Sequence, residues 1–212
     1  MKKKIRIPIV PIILLIVAVI IIAIVINKNK KTTDEQLLQE EYNKLSSMQS
    51  YQFTKEKDSK NKTVVVKNNE NTAIDSYSDG MHTTTIIKDN KTYYIIHDKE
   101  EYYIYNSANM ENSIVIDWIK DVMTKEYISG EEKVRGRKLK YEEYTGATMF
   151  SEATSLDIDE SKTKTRFYFD NNKDLVYIKT IYENGTEELQ KIEITQEINS
   201  KLFEVPSAYA EN

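Results

Sequence analysis

Only two histidines, His82 and His97, are present in this 212-residue chain as side chains that exchange protons near neutral pH. Neither has a second histidine or a glutamate at the spacing that zinc-binding helices use, and both lie in or at the ends of predicted strands. The chain has no cysteine, so disulfides and thiolate metal sites are excluded. The sequence therefore predicts no catalytic histidine, no metal site and no cofactor.

Motifs for a nucleophile or a calcium ion are also missing. No Gly-x-Ser-x-Gly sequence occurs, and the Ser-x-x-Lys match at Ser59 and Lys62 lies in a polar turn without its associated motifs. Residues 170–174 copy the first positions of a calcium loop, but Leu175 replaces the required glycine and Ile181 the final glutamate. We interpret this stretch as a hairpin turn and expect the protein not to be an enzyme.

An apolar run near the start predicts where the rest of the chain is located. Residues 7–26 contain no charge and are almost all Ile, Val, Leu and Ala. As a helix rising about 1.5 Å per residue, this run matches the roughly 30 Å hydrocarbon thickness of a bilayer. No small-x-small cleavage site follows it, and its exit is bulky and basic. We interpret residues 1–31 as a signal anchor with one transmembrane helix.

The layout and the charges predict the topology. Four basic residues precede the apolar run and three follow it, which favours a cytoplasmic N-terminus only slightly. A short leader, one span and a long tail are typical of a signal anchor, so we expect a single-pass protein of the cytoplasmic (inner) membrane whose domain 32–212 is extracytoplasmic. This domain contains 23 basic and 34 acidic residues, a net charge of −11. Such a charge repels the phosphate backbone, which excludes nucleic acid as a partner.

The pattern of apolar residues predicts a sheet with few helices. Thr33 to Met48 has helical spacing, with Thr33 and Gln36 placed as a capping box, and residues 114–123 have helical spacing too. Elsewhere, short segments rich in Tyr, Ile, Val and Thr are separated by turns such as Asp79-Gly80, which is typical of an antiparallel meander. The predicted strands cover residues 51–57, 63–67, 72–78, 81–88, 91–97, 101–106, 127–133, 137–144, 165–170, 175–183 and 188–197. Residues 146–163 are predicted to form a loop or a short helix.

Large residues occupy both faces of several predicted strands, as in residues 93–96, 102–105 and 167–169. A sheet covered on one side only would alternate apolar and polar residues. Two explanations remain open. Either apolar surface is left for a ligand or partner, or a curved sheet wraps its helices on one side while tyrosines coat the other with their hydroxyls in water.

Three stretches resemble the bacterial lipoprotein-carrier superfamily, the LolA-like and LppX-like proteins. They are residues 130–144 (GEEKVRGRKLKYEEY), residues 166–177 (RFYFDNNKDLVY) and the ending Leu202-Phe203-Glu204-Val205-Pro206-Ser207-Ala208-Tyr209. The resemblance implies an antiparallel half-barrel whose concave side is closed by helices and, in true carriers, accepts acyl chains. True carriers are soluble, whereas this chain keeps an apolar span, and none of their functional residues matches a position here.

Together these observations predict an α+β fold, mainly β: a single N-terminal transmembrane helix followed by a curved antiparallel sheet (half-barrel) packed on two or more helices. The predicted function is a membrane-anchored extracytoplasmic module that binds a lipid or another apolar ligand. Tyr94, Tyr103, Trp118 and Ile119 are the predicted lining of that site. The alternative is an envelope protein-interaction or structural module with no small ligand.

Overall fold

Twelve β-strands make up most of the described chain. The structure is a computed structural model that describes residues 36–106, 114–147 and 160–212. Its strands are β1 (Ser50–Asp58), β2 (Asn61–Asn68), β3 (Asn71–Ser78), β4 (Met81–Lys88), β5 (Lys91–Ile96), β6 (Glu101–Asn106), β7 (Tyr127–Val134), β8 (Arg137–Thr145), β9 (Lys164–Phe169), β10 (Leu175–Ile181), β11 (Glu187–Thr195) and β12 (Ala210–Glu211). The α-helices in these ranges are α1 (Leu37–Ser47) and α2 (Ile114–Val122), and single 3₁₀ turns lie at His97–Lys99, Glu160–Lys162 and Ser200–Phe203.

Tight turns join consecutive strands of the first half. Asp79 and Gly80 both have positive φ, at 48° and 91°, and so do Asp89 and Asn90, at 53° and 58°. Positive φ at both central residues is the type I′ turn, whose twist matches that of the strands it connects. These turns set the registers of the β3–β4 and β4–β5 hairpins. Strands β1 to β11 confirm the predicted strands to within a few residues at their ends.

All twelve strands belong to one sheet, in the order β12-β6-β5-β4-β3-β2-β1-β11-β10-β9-β8-β7. The meander β1–β6 and the second meander β7–β11 are joined where β11 pairs antiparallel with β1, placing Ile194 opposite Phe53. The short β12 pairs parallel with β6, so Ala210 lies opposite Glu101. The two meanders therefore form one continuous surface, although 128 residues of chain separate β1 from the start of β11.

The predicted fold class, an α+β half-barrel packed on two or more helices behind a transmembrane helix, is wrong for the described residues. They form mostly a twelve-stranded sheet, and the two α-helices are short, with 11 and 9 residues. The physical reason is that β11 pairs with β1, which joins all the described strands in one sheet and leaves the helices to cover its β7 half and not β4–β6.

The predicted anchor, residues 7–26, lies outside the described residues, as does the whole predicted segment 1–31. Within the ranges that the structure describes, no helix has the length and apolar character needed to cross a membrane. Residues 36–212 form one compact unit.

The main core lies between the helices and one face of the sheet, which we call the helix face. Residues paired across neighbouring strands share a face, and Phe53, Val65 and Ile178 all belong to this one. Leu38 and Leu45 of α1 are fully buried against it. Helix α2 was predicted correctly, because Val115, Ile119 and Val122 of its apolar side are buried in the same core.

A carboxylate from the sheet caps the start of α1. Glu142 of β8 is 2% exposed and accepts hydrogen bonds from the backbone N–H of Leu37 at 2.6 Å and of Leu38 at 3.2 Å. The predicted capping box is not seen: Thr33 is outside the described residues, and Gln36 occupies the N-cap position without capping through its side chain. Gln36 instead donates to the Tyr144 hydroxyl at 2.8 Å, because Glu142 already satisfies the helix amides.

The other face of the sheet, the back face, is crossed by the C-terminal segment, residues 199–212. The Asn199 N–H donates to Gln52 on β1 at 3.1 Å, and Lys88 on β4 donates to the Phe203 carbonyl at 2.8 Å. The segment ends beside β6, where the Ala210 N–H bonds the carbonyl of Glu100 at 3.0 Å. Beneath this path lie the buried side chains of Val64, Val66, Ala73, Ile86 and Ile95.

Candidate functional site

Both histidines of the chain lie in one cluster on the back face, where the C-terminal segment approaches β6. We define the histidine cluster as Asp75 and Tyr77 of β3, His82 and Thr84 of β4, His97 directly after β5, and Tyr209. The strand registers bring these residues together, since Asp75 lies opposite Thr84 and Tyr77 lies opposite His82. Asp75 and Thr84 are buried, and the others are partly exposed or exposed at the rim.

The hydrogen bonds of the cluster run in one direction. Thr84 donates its single hydroxyl proton to Asp75, with Oγ1 and Oδ1 2.6 Å apart. The 2.8 Å contact between Thr84 Oγ1 and His97 Nε2 must therefore use a proton on the ring nitrogen. A neutral His97 then has no proton on Nδ1, so Nδ1 accepts from the Tyr209 hydroxyl at 3.1 Å. The result is a chain of donors from Tyr209 to the Asp75 carboxylate.

His82 reaches the same carboxylate from another side. Its Nε2 lies 2.8 Å from Asp75 Oδ1, and its backbone N–H donates to Asp98 at 3.1 Å. The nitrogen that faces an ionised carboxylate carries the proton, so His82 is a donor to Asp75. Asp75 Oδ1 thus receives bonds from both His82 and Thr84, which stabilises a buried negative charge.

Three aromatic rings are stacked along the cluster. The ring centroids of Tyr77 and His82 are 3.9 Å apart and those of His82 and His97 are 3.7 Å apart, with interplanar angles of 15° and 13°. Burial, followed by the nearby charge of His82, lowers the pKa of His97, and Asp75 and Asp98 oppose this shift only in part. A proton on both stacked rings would place two positive charges in contact, so the stack favours the neutral form of His97.

This arrangement supplies a ligand set more readily than a catalytic pair. Thr84 is 3% exposed and its hydroxyl donates to Asp75, so the hydroxyl does not face a substrate as a nucleophile. Asp75, His82 and His97 offer one oxygen and two nitrogens within 4.8 Å of one another, which are donors of the kind that transition metals prefer.

The four residues predicted to line a ligand site form two separate pairs. Tyr94 and Tyr103 lie directly opposite each other on β5 and β6, half-buried on the helix face. Trp118 and Ile119 of α2 are the second pair: Ile119 is fully buried, and the ring centroids of Trp118 and Phe167 of β9 are 5.4 Å apart. Seven strand intervals separate β5 from β9, about 34 Å along the sheet. That these residues line one ligand site stays a prediction.

An open groove of about 830 Å³ lies beside the start of α1, between the β7–β8 and β9–β10 turns. Most of its lining is charged, and several of these charges are paired: Glu131 with Lys138, and Lys173 with Glu40 at 2.7 Å. The turn at residues 170–174 is confirmed as a hairpin connection, because Asp170 accepts from the backbone N–H of Asn172 at 2.9 Å. A groove of this chemistry does not suit an acyl chain.

A second charged cluster lies on the back face, centred on Glu132. Its carboxylate accepts from Tyr168 at 2.6 Å, from Arg166 at 2.7 Å and from Lys179 at 2.8 Å. Burial by itself would raise the pKa of Glu132, but the hydrogen bonds from Lys179, Tyr168 and Arg166 outweigh it and lower the pKa to about 2. Arg166 also bonds Glu143 and lies over the Tyr141 ring at 4.6 Å. Every charge here has a partner, which indicates a structural role.

Sequence reasoning missed the histidine cluster, although a signal for it was present. A two-residue turn at Asp89-Asn90 pairs Lys88 with Lys91. Counting outward from that pair along both strands places His82 opposite His97 at the open end of the hairpin. The turn at Asp79-Gly80 places Asp75 beside Thr84 in the same way. Known metal-site motifs are spacings along one element, whereas Asp75 and His82 come from two neighbouring strands and His97 from the turn after a third. Tyr209 had no such signal.

No family model and no curated protein matches the chain. Among solved structures, the chain is similar to an uncharacterized conserved protein from Thermus thermophilus, at 10% sequence identity and a TM-score of 0.48. The match covers 84% of this chain and 100% of that one. None of these comparisons names the lipoprotein-carrier superfamily, so the resemblance to it stays a prediction.

Mild acid is expected to destabilise the protein through His97. Because the folded pKa lies below the ordinary 6.5, the unfolded chain binds more protons than the folded one as the pH falls below 6.5. The contribution of this residue is therefore complete above about pH 6.5 and is lost as the pH falls through the folded pKa. Histidine NMR of metal-free protein should show His97 titrating below 6.5, and a value at or above 6.5 would contradict this prediction.

Proposed function

We propose that the chain is a membrane-anchored extracytoplasmic module that binds another envelope protein and carries out no catalysis. Support for the anchor comes from the uncharged run 7–26 and from the short basic leader before it. Support for a binding role comes from the described domain, which is a large sheet with aromatic residues at one end and a negative net charge.

One observation carries the proposal: tyrosines cluster on the helix face of β5 and β6. Tyr94 pairs with Tyr103, and Tyr105, on the same face as Tyr103, is 54% exposed. Tyrosine provides a large apolar ring with a polar tip at a small cost in conformational entropy, and it is enriched in protein interfaces. We define these three residues as the tyrosine surface.

A protein partner is favoured over a lipid by the packing of the core. A carried acyl chain needs an open apolar space between sheet and helices, but Leu38, Leu45 and Ile119 are fully buried there and Trp118 packs on Phe167. The excess of acidic residues after residue 33 also repels anionic lipid head groups. Binding of a lipid at the tyrosine surface is the second candidate, supported by the half-buried Tyr94–Tyr103 pair.

Site-specific photo-crosslinking in native membranes tests the proposal. A photoreactive phenylalanine at position 105 is expected to form adducts with one or a few defined proteins. The matched control is the same residue at position 128, because Ile128 is 60% exposed on β7 at the opposite end of the sheet. Adducts of lipid mass at position 105 would support the second candidate, and equal labelling at both positions would contradict both.

The proposed topology has its own test. Protease added to intact spheroplasts should degrade the domain after residue 31, whereas the same protease added outside inverted membrane vesicles should leave it intact. The opposite pattern would place the domain in the cytoplasm. Release of the chain by alkaline carbonate would show that residues 7–26 do not anchor it.

A further inference from the structure

We propose that Asp75, His82 and His97 form a binding site for one divalent transition-metal ion of the zinc class. The three ligand atoms lie within 4.8 Å of one another, and they are the only such group of three or more His and acidic side chains in the part of the chain that the structure describes. The proposal does not depend on the tyrosine surface or on the function proposed for it.

The three ligand atoms are already nearly as close together as the ligands of one bound ion. Zinc binds nitrogen and oxygen at about 2.0–2.2 Å, so two ligands on one tetrahedral ion lie roughly 3.3 Å apart. His82 Nε2 and Asp75 Oδ1 are already 2.8 Å apart. His97 Nε2 points to the same place, because it bonds Thr84 Oγ1, which is itself 2.6 Å from Asp75 Oδ1. The His82 and His97 rings are stacked with their planes only 13° apart, and an imidazole binds a metal in the plane of its ring, so the His97 ring must turn out of the stack to bring both nitrogens onto one ion.

The surroundings of His97 suit a ligand role. When Nε2 binds the ion, the ring proton moves to Nδ1, and Nδ1–H then donates to the Tyr209 oxygen that now lies 3.1 Å away. Metal-binding histidines commonly use the second ring nitrogen in this way, which fixes the orientation of the ring. Tyr209 can reverse its role because a hydroxyl both donates and accepts. We therefore assign Tyr209 as a positioning residue.

The donor types decide the class of ion. Two imidazole nitrogens with one carboxylate suit zinc, nickel, cobalt and copper, whereas calcium and magnesium prefer a shell of oxygens. Partial exposure leaves a route for entry, since the side chain of His82 is 23% exposed and that of Asp75 is 10% exposed. Water completes the coordination on the open side.

The position of the site connects parts of the chain that are distant in sequence. Asp75 and His82 belong to the β3–β4 hairpin, His97 follows β5, and Tyr209 lies in the C-terminal segment directly before β12. An ion held by Asp75, His82 and His97 would orient His97 toward Tyr209. It would thereby stabilise the turn at Tyr209 and the pairing of β12 with β6.

Isothermal titration of zinc into the full-length protein tests the site. The protein, in lipid nanodiscs and freed of metal with a chelator, is expected to bind one zinc ion per chain at about pH 7.5, and more weakly as the pH falls, because protons compete for the imidazoles. Cobalt added in place of zinc should give visible absorption bands that zinc then abolishes.

The variants separate the site from the acidic surface. His82→Ala and His97→Ala should each weaken zinc binding by at least about 100-fold, and Tyr209→Phe by about 10-fold. Asp79→Asn is the matched control: it removes one negative charge from the same hairpin, and asparagine tolerates its φ of 48°. Binding to Asp79→Asn should equal that of the natural chain.

Two results would overturn the proposal. The first is the absence of zinc binding by natural protein whose Trp118 emission shows that it is folded. The second is binding that keeps its affinity in both histidine variants, which would place the ion elsewhere on the acidic domain. If a histidine variant fails to fold, proton NMR of the cobalt-loaded natural protein decides, since the absence of paramagnetically shifted imidazole N–H signals also refutes the site.

Discussion

Replacing Phe167 with alanine is expected to lower the free energy of unfolding by about 3–5 kcal/mol. Phe167 is fully buried on the helix face. The centroid of its ring lies 5.4 Å from that of Trp118 on α2 and 5.6 Å from that of Tyr144 on β8. Alanine leaves a cavity between the sheet and α2, because the structure around a truncated core residue relaxes only partially. Phe167→Leu leaves a smaller cavity and should cost less.

Urea unfolding of the full chain in lipid nanodiscs measures this loss. Trp118 is the only tryptophan of the chain, so its emission reports directly on the contact between α2 and the sheet. Ile128→Ala serves as the control, because Ile128 is 60% exposed and its truncation should change the free energy by less than about 0.5 kcal/mol. Similar losses for both variants would show that Phe167 is not part of a packed core.

Replacing Glu132 with glutamine is expected to cost about 1–3 kcal/mol. The change removes the negative charge that Arg166 and Lys179 share, and the Lys179 side chain is only 10% exposed, so it loses its short ionic contact at 2.8 Å. Because the Glu132 side chain is 32% exposed, water reduces the loss below that of a fully buried pair. Chemical unfolding of the two proteins at neutral pH gives the difference.

The neighbouring residue provides a matched control for this change. Glu131 pairs with Lys138, but both side chains are exposed, at 49% and 72%. Glu131→Gln removes the same charge one residue away and should cost clearly less than Glu132→Gln, because water screens an exposed ion pair. Equal effects of the two substitutions would mean that the Glu132 cluster contributes no more than a surface pair.

The Glu132 cluster also predicts a dependence on acid. In the folded protein the pKa of Glu132 is about 2, against an ordinary value of 4.5, so the unfolded chain takes up a proton first as the pH falls. The stabilisation by Glu132 is complete above about pH 4.5 and is lost between pH 4.5 and about 2. The unfolding free energy of the natural protein should fall more steeply over this window than that of Glu132→Gln, and parallel curves would contradict the shift.

Local sequence was sufficient to predict most of the individual elements. The turn residues Asp79-Gly80 and Asp89-Asn90 adopt the positive φ that their types favour, and the strands on either side follow from them. Helix α2 was likewise predicted from its apolar spacing, and Val115, Ile119 and Val122 are buried as expected. These features depend on residues close together in the chain.

The start of α1 shows where a local rule failed. A capping box at Thr33 and Gln36 fits the sequence, but the amides of Leu37 and Leu38 bond Glu142, which lies more than 100 residues away. Glu142, a buried glutamate placed there by β8, accepts two amides and the Tyr144 hydroxyl at once. Nothing near α1 in the sequence indicates this partner.

The histidine cluster combines local contacts that the sequence indicates with a distant contact that it does not. The pairing of His82 with His97, and of Asp75 with Thr84, follows from two-residue turns that are visible in the sequence. The contact of His97 with Tyr209 crosses 112 residues and depends on the path of the C-terminal segment over the back face. Five of the six residues of the histidine cluster were therefore predictable by register, and only Tyr209 was not.

The amino-acid sequence by itself determined the strands, their hairpin turns, helix α2 and the concentration of acidic residues after residue 33. The tertiary structure alone decided that β11 joins β1, that the C-terminal segment covers the back face, and that the two pairs of predicted ligand-lining residues lie apart on the sheet. The physical reason is that a turn is specified by the φ and ψ preferences of a few residues. A contact across a hundred residues is instead selected by the apolar area that the whole sheet buries, and no short stretch of sequence contains that information.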